Sequence, residues 1–354
     1  MNQSKSALKK IIGFHLTFPL ICLVIVLVMN LIKTPDFFHV SVNNGVLYGY
    51  IIDILNRSSE LIILAVGMTL VVATSGGTDI SVGAVSSVSG AFFVFALIGG
   101  ASSEIYRIPF VLAAVIGLLA GVACGAFNGF LVAKLRIQPM VATLILFTAG
   151  RGIAQVLTQG FILYVNKEEF KYLGNFLPGI PVPTPILVAI ITVAITAVIL
   201  KKTALGLYIQ TVGINRKAAR LVGLNSTVII FLAYTFSGLC AGLSGLLITS
   251  RVHSIDANNA GLNLELDAIL AVAIGGNKLS GGKFSLAGSV IGAITIQALT
   301  TSLYAMKVTA DQLPVYKAVV VVLIVTLQSP QIRHMLKSLK LKQSAQMNGK
   351  KVVE

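Results

Sequence analysis

The stretch Gly76-Gly77-Thr78-Asp79-Ile80-Ser81-Val82-Gly83 joins two long apolar runs, and its pattern returns at Gly275-Gly276-Asn277-Lys278-Leu279-Ser280-Gly281-Gly282. Both stretches fit Gly-Gly-x-x-[Ile/Leu]-Ser-x-Gly, and we call them the first and the second Gly-Gly phrase. Paired glycines with a Ser or Asp between membrane-length helices are typical of interrupted helices. Non-helical backbone at membrane depth is tolerated only inside protein or beside a wet cavity. The repeated phrase therefore predicts a membrane transporter with two interrupted helices.

The residues of the two phrases are also the candidates for the substrate pathway, because interrupted helices line such pathways in transporters. The candidates are Gly76, Gly77, Thr78, Asp79, Ser81, Gly275, Gly276, Asn277 and Ser280.

The composition assigns the chain to the membrane. Of its 354 residues, 56% are hydrophobic and only 11% are charged, and the mean hydropathy is +0.90. A soluble domain carries about 25% charged residues. The chain is therefore built for a lipid environment.

Apolar runs follow one another with no globular domain between them. Each is close to the roughly 20 residues that cross the hydrocarbon, although the eighth and tenth are short, so eight to eleven spans fit the pattern. We expect one all-α polytopic membrane domain over residues 11–330, with about ten transmembrane helices. The runs are 11–30, 58–75, 82–100, 109–133, 140–159, 185–200, 227–250, 266–277, 284–304 and 314–328.

The basic residues predict the orientation. With ten spans and both termini in the cytoplasm, most of the 27 Lys and Arg residues lie on the cytoplasmic side, as the positive-inside rule requires. They fall in the N-terminal segment 1–10, in short loops, in the long connection 201–226 and in the tail 331–354. The formal net charge of +15 then reflects topology and contact with anionic lipid. We expect no nucleic-acid partner.

The sequence carries no catalytic signature. The stretch from Asn277 to Phe284 approaches a phosphate-binding loop, but it lacks the first Gly and the final Ser or Thr, and no soluble strand precedes it. The four His residues and the few acids show no metal-ligand spacing. We therefore expect a transport protein without a metal or cofactor, and not an enzyme.

The energy for transport must come from an ion gradient or from another subunit. An ion-coupled carrier of a small polar solute would need ionisable groups within its spans, where such groups are costly and usually functional. The candidates are Asp79, Arg151, Lys278 and Glu60. Asp79 could bind a cation or a proton. Arg151 and Glu60 lie near span ends, from which their long side chains reach the interface.

The connection 201–226 offers the other source of energy, a soluble partner. Its centre, Lys217-Ala218-Ala219-Arg220-Leu221, favours a helix, and glycines bracket it as natural ends. Small Ala side chains fit a groove on a partner, so a docking helix is one interpretation; an amphipathic segment on the lipid surface is the other. The candidate coupling residues are Gly213, Arg216, Ala218, Ala219, Arg220 and Gly223.

These motifs together resemble the permease subunits of bacterial sugar ABC importers of the ribose, xylose, arabinose and galactofuranose type. The resemblance covers roughly residues 45–330, and the part from Glu265 to Pro330 is most similar to galactofuranose permeases. It rests on both Gly-Gly phrases and on Gly67–Val72, Phe127–Val132, Ile137–Leu144, Arg151-Gly152, Ala218–Gly223 and Leu266–Gly276.

The resemblance implies a role and a set of partners. The chain would form the pathway for a monosaccharide in the bacterial inner membrane. It would work as a pair with a second permease, with an extracytoplasmic sugar-binding protein outside and an ABC ATPase inside. The residues from Gly213 to Gly223 match the segment that contacts the ATPase in this family, which favours docking over lipid contact.

Overall fold

The computed structural model describes residues 16–33, 35–43 and 45–328, in two compact units that divide after Ser302. The expected cytoplasmic segment 1–10, the start of the expected span 11–30 and the basic tail 331–354 lie outside the described residues.

Helices make up most of the described residues in both units. The first six are α1 (Thr17–Lys33), α2 (Tyr50–Ser75), α3 (Val82–Ile98), α4 (Phe110–Gly129), α5 (Pro139–Thr158) and α6 (Thr184–Lys202). They are followed by α7 (Leu205–Ile214), α8 (Arg216–Leu221), α9 (Ser226–Val252), α10 (Leu264–Ile274), α11 (Leu286–Ala305) and α12 (Leu313–Gln328). A π-helical turn, Phe130–Lys134, extends α4.

Two small antiparallel pairs of strands lie between the helices. Strands β1 (Ser41–Asn43) and β2 (Val46–Tyr48) form a hairpin before α2. Strands β3 (Leu163–Tyr164) and β4 (Ser254–Ile255) tie the segment after α5 to the segment after α9. Short 3₁₀ helices cover Pro35–Phe38 and Glu168–Leu173.

The predicted all-α polytopic fold is confirmed, whereas the count of ten spans stays a prediction. In the described part of the chain, α2, α4 with its π-helical turn, α5, α6, α9 and α11 are long and apolar enough to cross a membrane. Shorter apolar helices include α1, α3, α7 and α12. Helix α10 has 11 residues and a length of about 16 Å. It cannot cross roughly 30 Å of hydrocarbon, so the expected span 266–277 is a half-length helix.

Helix α2 is the central element of the larger unit. Every residue from Ser58 to Thr74 is buried, and the helix packs against α6, α7, α9 and α10. Helices α4, α5 and α6 differ, because most of their apolar residues remain accessible. Their outward faces are available to lipid or to another protein.

Helices α4 and α9 cross with their backbones in close contact. Glycines recur at every fourth position of α4 and therefore share one face of that helix. A Cβ atom added to Gly121 would lie 2.7 Å from the Gly238 carbonyl oxygen, and one added to Gly125 would lie 2.5 Å from the Tyr234 carbonyl oxygen. Small residues let two membrane helices approach this closely. The glycines concerned are Gly117, Gly121, Gly125 and Gly129 on α4 and Gly238 and Gly242 on α9.

We expect Gly125→Val to destabilise the protein by about 1–3 kcal/mol, because the new side chain must displace the α9 backbone. Gly152→Ala is the matched control, since Gly152 is also helical but an added Cβ would meet nothing within 4 Å. The measurement is the temperature at which the detergent-solubilised protein loses its monodisperse elution peak. Equal midpoints for the two variants would contradict the tight crossing.

Candidate translocation and coupling site

The first Gly-Gly phrase ends α2 and turns the chain back into the bundle. Gly76 adopts a left-handed conformation with φ of 64° and its N–H donates to the Val72 carbonyl, which closes the helix. The chain then runs back along α2, so that the Asp79 N–H lies 3.4 Å from the Met68 sulfur. Helix α3 consequently begins inside the bundle, beside the last two turns of α2. The predicted interruption is confirmed here.

Asp79 is buried at the centre of a polar network that fixes this turn. Its Oδ1 accepts hydrogen bonds from the Ser81 N–H (3.0 Å) and the Ser81 hydroxyl (2.6 Å). Its Oδ2 accepts from the Ser237 hydroxyl of α9 at 3.2 Å, and the Asn128 amide of α4 donates to the Ser81 oxygen at 2.7 Å. A carboxylate at the start of α3 also suits the positive end of the helix dipole. The carboxylate therefore joins three elements around the turn.

The second Gly-Gly phrase ends α10, and Asn277 closes the loop that follows. The Asn277 amide donates to the Val272 carbonyl (3.1 Å) and to the Ser289 hydroxyl (2.8 Å), while its oxygen accepts from the Ser285 N–H (2.6 Å). The Ser289 hydroxyl also lies 2.6 Å from the Thr69 hydroxyl of α2. Asn277 thus anchors the loop to α11 and, through Ser289, to α2.

The two phrases, distant in sequence, meet at one end of the bundle. The Gly282 N–H donates to the Ala73 carbonyl of α2 at 2.9 Å. A Cβ atom on Gly76 would lie 2.9 Å from the Ser280 carbonyl oxygen, and one on Gly281 would lie 3.2 Å from the Gly76 Cα atom. We call this meeting point the glycine junction, defined by Ala73, Gly76, Gly281 and Gly282 together with Gly213.

The connection 201–226 joins the same junction through Gly213 at the end of α7. An added Cβ atom there would lie 1.8 Å from the Ala73 carbonyl oxygen and 2.7 Å from the Gly282 nitrogen. At the first residue of α8, the Arg216 guanidinium donates to the Ser75 carbonyl at 2.7 Å. Both Gly-Gly phrases and the candidate coupling loop therefore share one set of backbone contacts.

The short helix α8 divides the coupling candidates into buried and exposed residues. The Asn215 side chain caps the helix by accepting from the Lys217 and Ala218 N–H groups. Ala219 is fully buried in the chain's own core. We had expected its methyl group to fit a groove on a partner, but in this structure a partner cannot reach it. Ala218, Arg220 and Gly223 are exposed. Two large apolar side chains that were not among the candidates are also exposed: Leu221 is 88% exposed and Val222 is 72% exposed.

The pathway candidates divide in the same way. Gly76, Gly276 and Ser280 are exposed and Gly77 is half-buried, whereas five others are buried inside the protein. A cleft of about 620 Å³ opens beside the second phrase, with Gln210 and Ile214 of α7 on its other side. In this conformation a solute can meet the exposed candidates and the wall of the cleft, which includes Gly275 and Asn277. The buried candidates are Thr78, Asp79, Ser81, Gly275 and Asn277.

The side chains of Glu60 and Arg151 do not reach the membrane interface, although the sequence analysis had predicted that they would. Glu60 is 4% exposed and pairs with Arg251 at 2.7 Å, and the Arg251 guanidinium also donates to the Asn56 carbonyl at 3.0 Å. Arg151 turns inward and donates to the carbonyl oxygens of residues 257, 258 and 260. Each long side chain is held by the protein because its charge would be costly if it were left unpaired there.

Residues 253–263 form a non-helical segment between the expected spans 227–250 and 266–277, and the sequence analysis assigned it no role. The segment separates α9 from the half-length helix α10 and is held by Arg151. The residues in the sequence that indicate a turn here are Asp256-Ala257-Asn258-Asn259, because Asp and Asn at these positions favour an Asx turn. The Asp256 carboxylate does accept from the Asn258 and Asn259 N–H groups, at 2.9 and 3.3 Å.

Known proteins give the family. Residues 50–327 match the family described as "Branched-chain amino acid transport system / permease component". The galactofuranose transporter permease protein of Escherichia coli (strain K12) is 43% identical over 325 residues, which cover 91% of this chain and 92% of the relative. The fructose import permease protein of Bifidobacterium longum (strain NCC 2705) is 36% identical over 357 residues, 99% of this chain and 98% of the relative.

The ribose import permease protein of Escherichia coli (strain K12) is 37% identical over 310 residues, 86% of this chain and 91% of the relative. No solved structure matches the chain. The resemblance to sugar importer permeases that the motifs indicated is confirmed, and the chain belongs to the family of branched-chain amino acid transport system permease components.

Proposed function

We propose that this chain is the permease subunit of an ATP-binding-cassette importer and forms the pathway for a monosaccharide, namely a pentose, a hexose or galactofuranose. The observation that carries the proposal is the similarity to three permeases named for galactofuranose, fructose and ribose, each over more than four-fifths of the chain. The family match contains both Gly-Gly phrases and the whole connection 201–226. The protein is then a transport subunit, and ATP hydrolysis belongs to a separate chain.

The orientation and the partners follow from the charge pattern and the family. The basic connections put the glycine junction and both termini on the cytoplasmic side of a bacterial inner membrane. The opposite end, with β3 and β4, then faces the sugar-binding protein. A second permease, either a copy or a related chain, completes the pathway, since two subunits related by a twofold axis enclose a passage between them.

The surface that would contact the ATPase is the exposed end of α8. Leu221 and Val222 are large apolar side chains at the exposed end of a polar connection, and Arg220 is exposed beside them. Apolar side chains in this setting favour association with a protein, and the nearby positive charges increase the association rate with an acidic surface.

The glycine junction supplies a mechanical link from that surface to the pathway. When the two ATPase domains close on ATP, α8 moves with the domain that holds it. The Arg216–Ser75 hydrogen bond and the contacts of Gly213 with Ala73 and Gly282 transfer that displacement to α2 and to the second Gly-Gly phrase. The helices then rock between outward-open and inward-open arrangements around a packed, bistable interface.

Reconstitution tests the primary-transport proposal. We expect the purified chain alone to show no ATPase activity and no uphill sugar uptake in liposomes, and we expect both with the ATPase and with sugar-loaded binding protein outside. Sugar accumulation by the lone chain under an imposed proton or Na⁺ gradient would contradict the proposal and restore the ion-coupled alternative.

We expect Leu221→Asp to prevent co-purification with the ATPase while leaving the permease folded, because it places an unpaired charge in an apolar contact. Lys217→Ala is the control on the same helix, since Lys217 is exposed. Ala219→Glu should instead destabilise the permease itself, because Ala219 is buried in its own core. The measurements are ATPase pull-down and thermal stability of each variant. Normal assembly of a well-expressed Leu221→Asp variant would remove the docking surface from α8.

A separate substitution tests the link between docking and transport. We expect Gly213→Ala to retain the ATPase but to lower sugar uptake at least about tenfold, because the methyl group forces the loop away from Ala73 and Gly282. The measurement is the ratio of sugar transported to ATP hydrolysed, with Lys217→Ala again as the control. An unchanged ratio would show that the junction does not transmit the movement.

A further inference from the structure

Residues 256–263 enter the bundle from the end that carries β3 and β4. The Ser87 hydroxyl of α3 donates to the Ala257 carbonyl at 3.0 Å. Further along, a Cβ atom on Gly83 would lie 2.4 Å from the Gly261 carbonyl oxygen. Helix α3 runs from Val82 to Ile98, so these contacts place the segment against the first part of α3, which begins inside the bundle. This is non-helical backbone at membrane depth, which must be surrounded by protein or border water.

The position of Arg151 along α5 also indicates how deep the segment lies in the bundle. Arg151 lies seven residues before the end of α5 at Thr158, or about 10 Å inside that end of the helix. Its guanidinium donates to the carbonyl oxygens of Ala257 (3.3 Å), Asn258 (2.9 Å) and Ala260 (3.2 Å). Arg151 therefore satisfies three backbone acceptors from one side and holds the segment against α5.

Beside Arg151, the segment and α5 together present an exposed polar surface. Asn258, Asn259 and Gln155 are all exposed, and the Gln155 amide donates to the Asn258 side-chain oxygen. We call these three side chains the amide patch. Gln155 lies three residues before the end of α5 at Thr158, or about 4.5 Å inside that end. An exposed polar surface there suits a wet passage or a second protein better than hydrocarbon.

The interior behind the patch has unused hydrogen-bonding capacity. Nε and Nη2 of Arg151 and Oε2 of Glu265 are buried and have no hydrogen-bond partner among the described residues. Buried polar atoms of this kind normally have a protein or water partner. Water or hydroxyl groups entering from the amide patch would supply one.

We propose that the amide patch lines the translocation pathway and forms hydrogen bonds to the hydroxyl groups of the sugar as it passes. This rests on the proposed function, and it assigns the sugar contacts to residues outside the Gly-Gly phrases. Side-chain amides offer both a donor and an acceptor, which matches a sugar hydroxyl. Because they are neutral, they hold the sugar weakly enough for it to leave. Arg151 is the positioning residue.

Thiol accessibility tests the placement without knowledge of the sugar. In a variant in which Cys22, Cys124 and Cys240 are replaced by Ala, a single cysteine is introduced as Asn258→Cys, Gln155→Cys or Val156→Cys. Val156 is the matched control, because it is a 79% exposed apolar residue next to Gln155 on α5 and therefore at the same depth. The probe is a charged, membrane-impermeant thiol reagent applied to the assembled transporter in liposomes.

We expect the reagent to label Asn258→Cys or Gln155→Cys at least about tenfold faster than Val156→Cys, since a thiol in apolar surroundings stays protonated and unreactive. Transported sugar together with its binding protein should slow the labelling. Labelling no faster than at Val156, with or without ATP, would overturn the proposal and would indicate that the patch is sealed between two permease copies.

Transport selectivity gives the second measurement. We expect Asn258→Leu and Gln155→Leu to lower sugar uptake, and to change the ratio between two competing sugars, while ATP hydrolysis stimulated by the binding protein is retained. Wild-type uptake and wild-type sugar ratios in both variants would overturn the assignment. Failure of the proposed function itself would look different, because the unmodified transporter would then move none of the sugars although Asn258→Cys was still labelled.

Discussion

Every non-helical segment that enters the bundle must have its backbone N–H and C=O groups satisfied by the protein, because lipid offers no hydrogen bonds. Asp79 does this for the turn between α2 and α3, Asn277 for the loop after α10, and Arg151 for the segment after α9. These polar side chains thus have a structural task first. Their presence at membrane depth is explained by the backbone they hold.

The same turns bring glycines to the places where backbones touch. At the glycine junction, the carbonyl of Ala73 accepts the Gly282 N–H and lies directly against Gly213. Contacts between backbones have little freedom to adjust, because no flexible side chain separates them. A displacement of the connection 201–226 therefore cannot be absorbed locally. The absence of side chains at the glycines lets the backbones touch, and this direct contact makes the junction rigid.

The sequence predicted the elements whose signals are local. Apolar runs and the repeated Gly-Gly phrases were sufficient for the membrane fold and for the ends of α2 and α10. Burial of Ala219 and exposure of Leu221 were not predictable, because a helix of six residues has too few turns to define a face. The entry of the segment 253–263 into the bundle was not predictable for another reason. The sequence places it between two apolar runs, but its stabilising partner, Arg151, lies about a hundred residues away in the sequence.

The charged and the neutral polar groups consequently have different tasks. Glu60, Arg251 and Arg151 are engaged in contacts within the chain. Asp79 accepts hydrogen bonds from the Ser81 N–H and from the Ser81 and Ser237 hydroxyls, which fix a turn. A group held in this way would have to give up these contacts in order to bind an ion. The polar groups left accessible at membrane depth include the neutral amides of Asn258, Asn259 and Gln155. Groups of this kind bind a sugar weakly, so the direction and the energy of transport must come from outside the chain, through the connection 201–226.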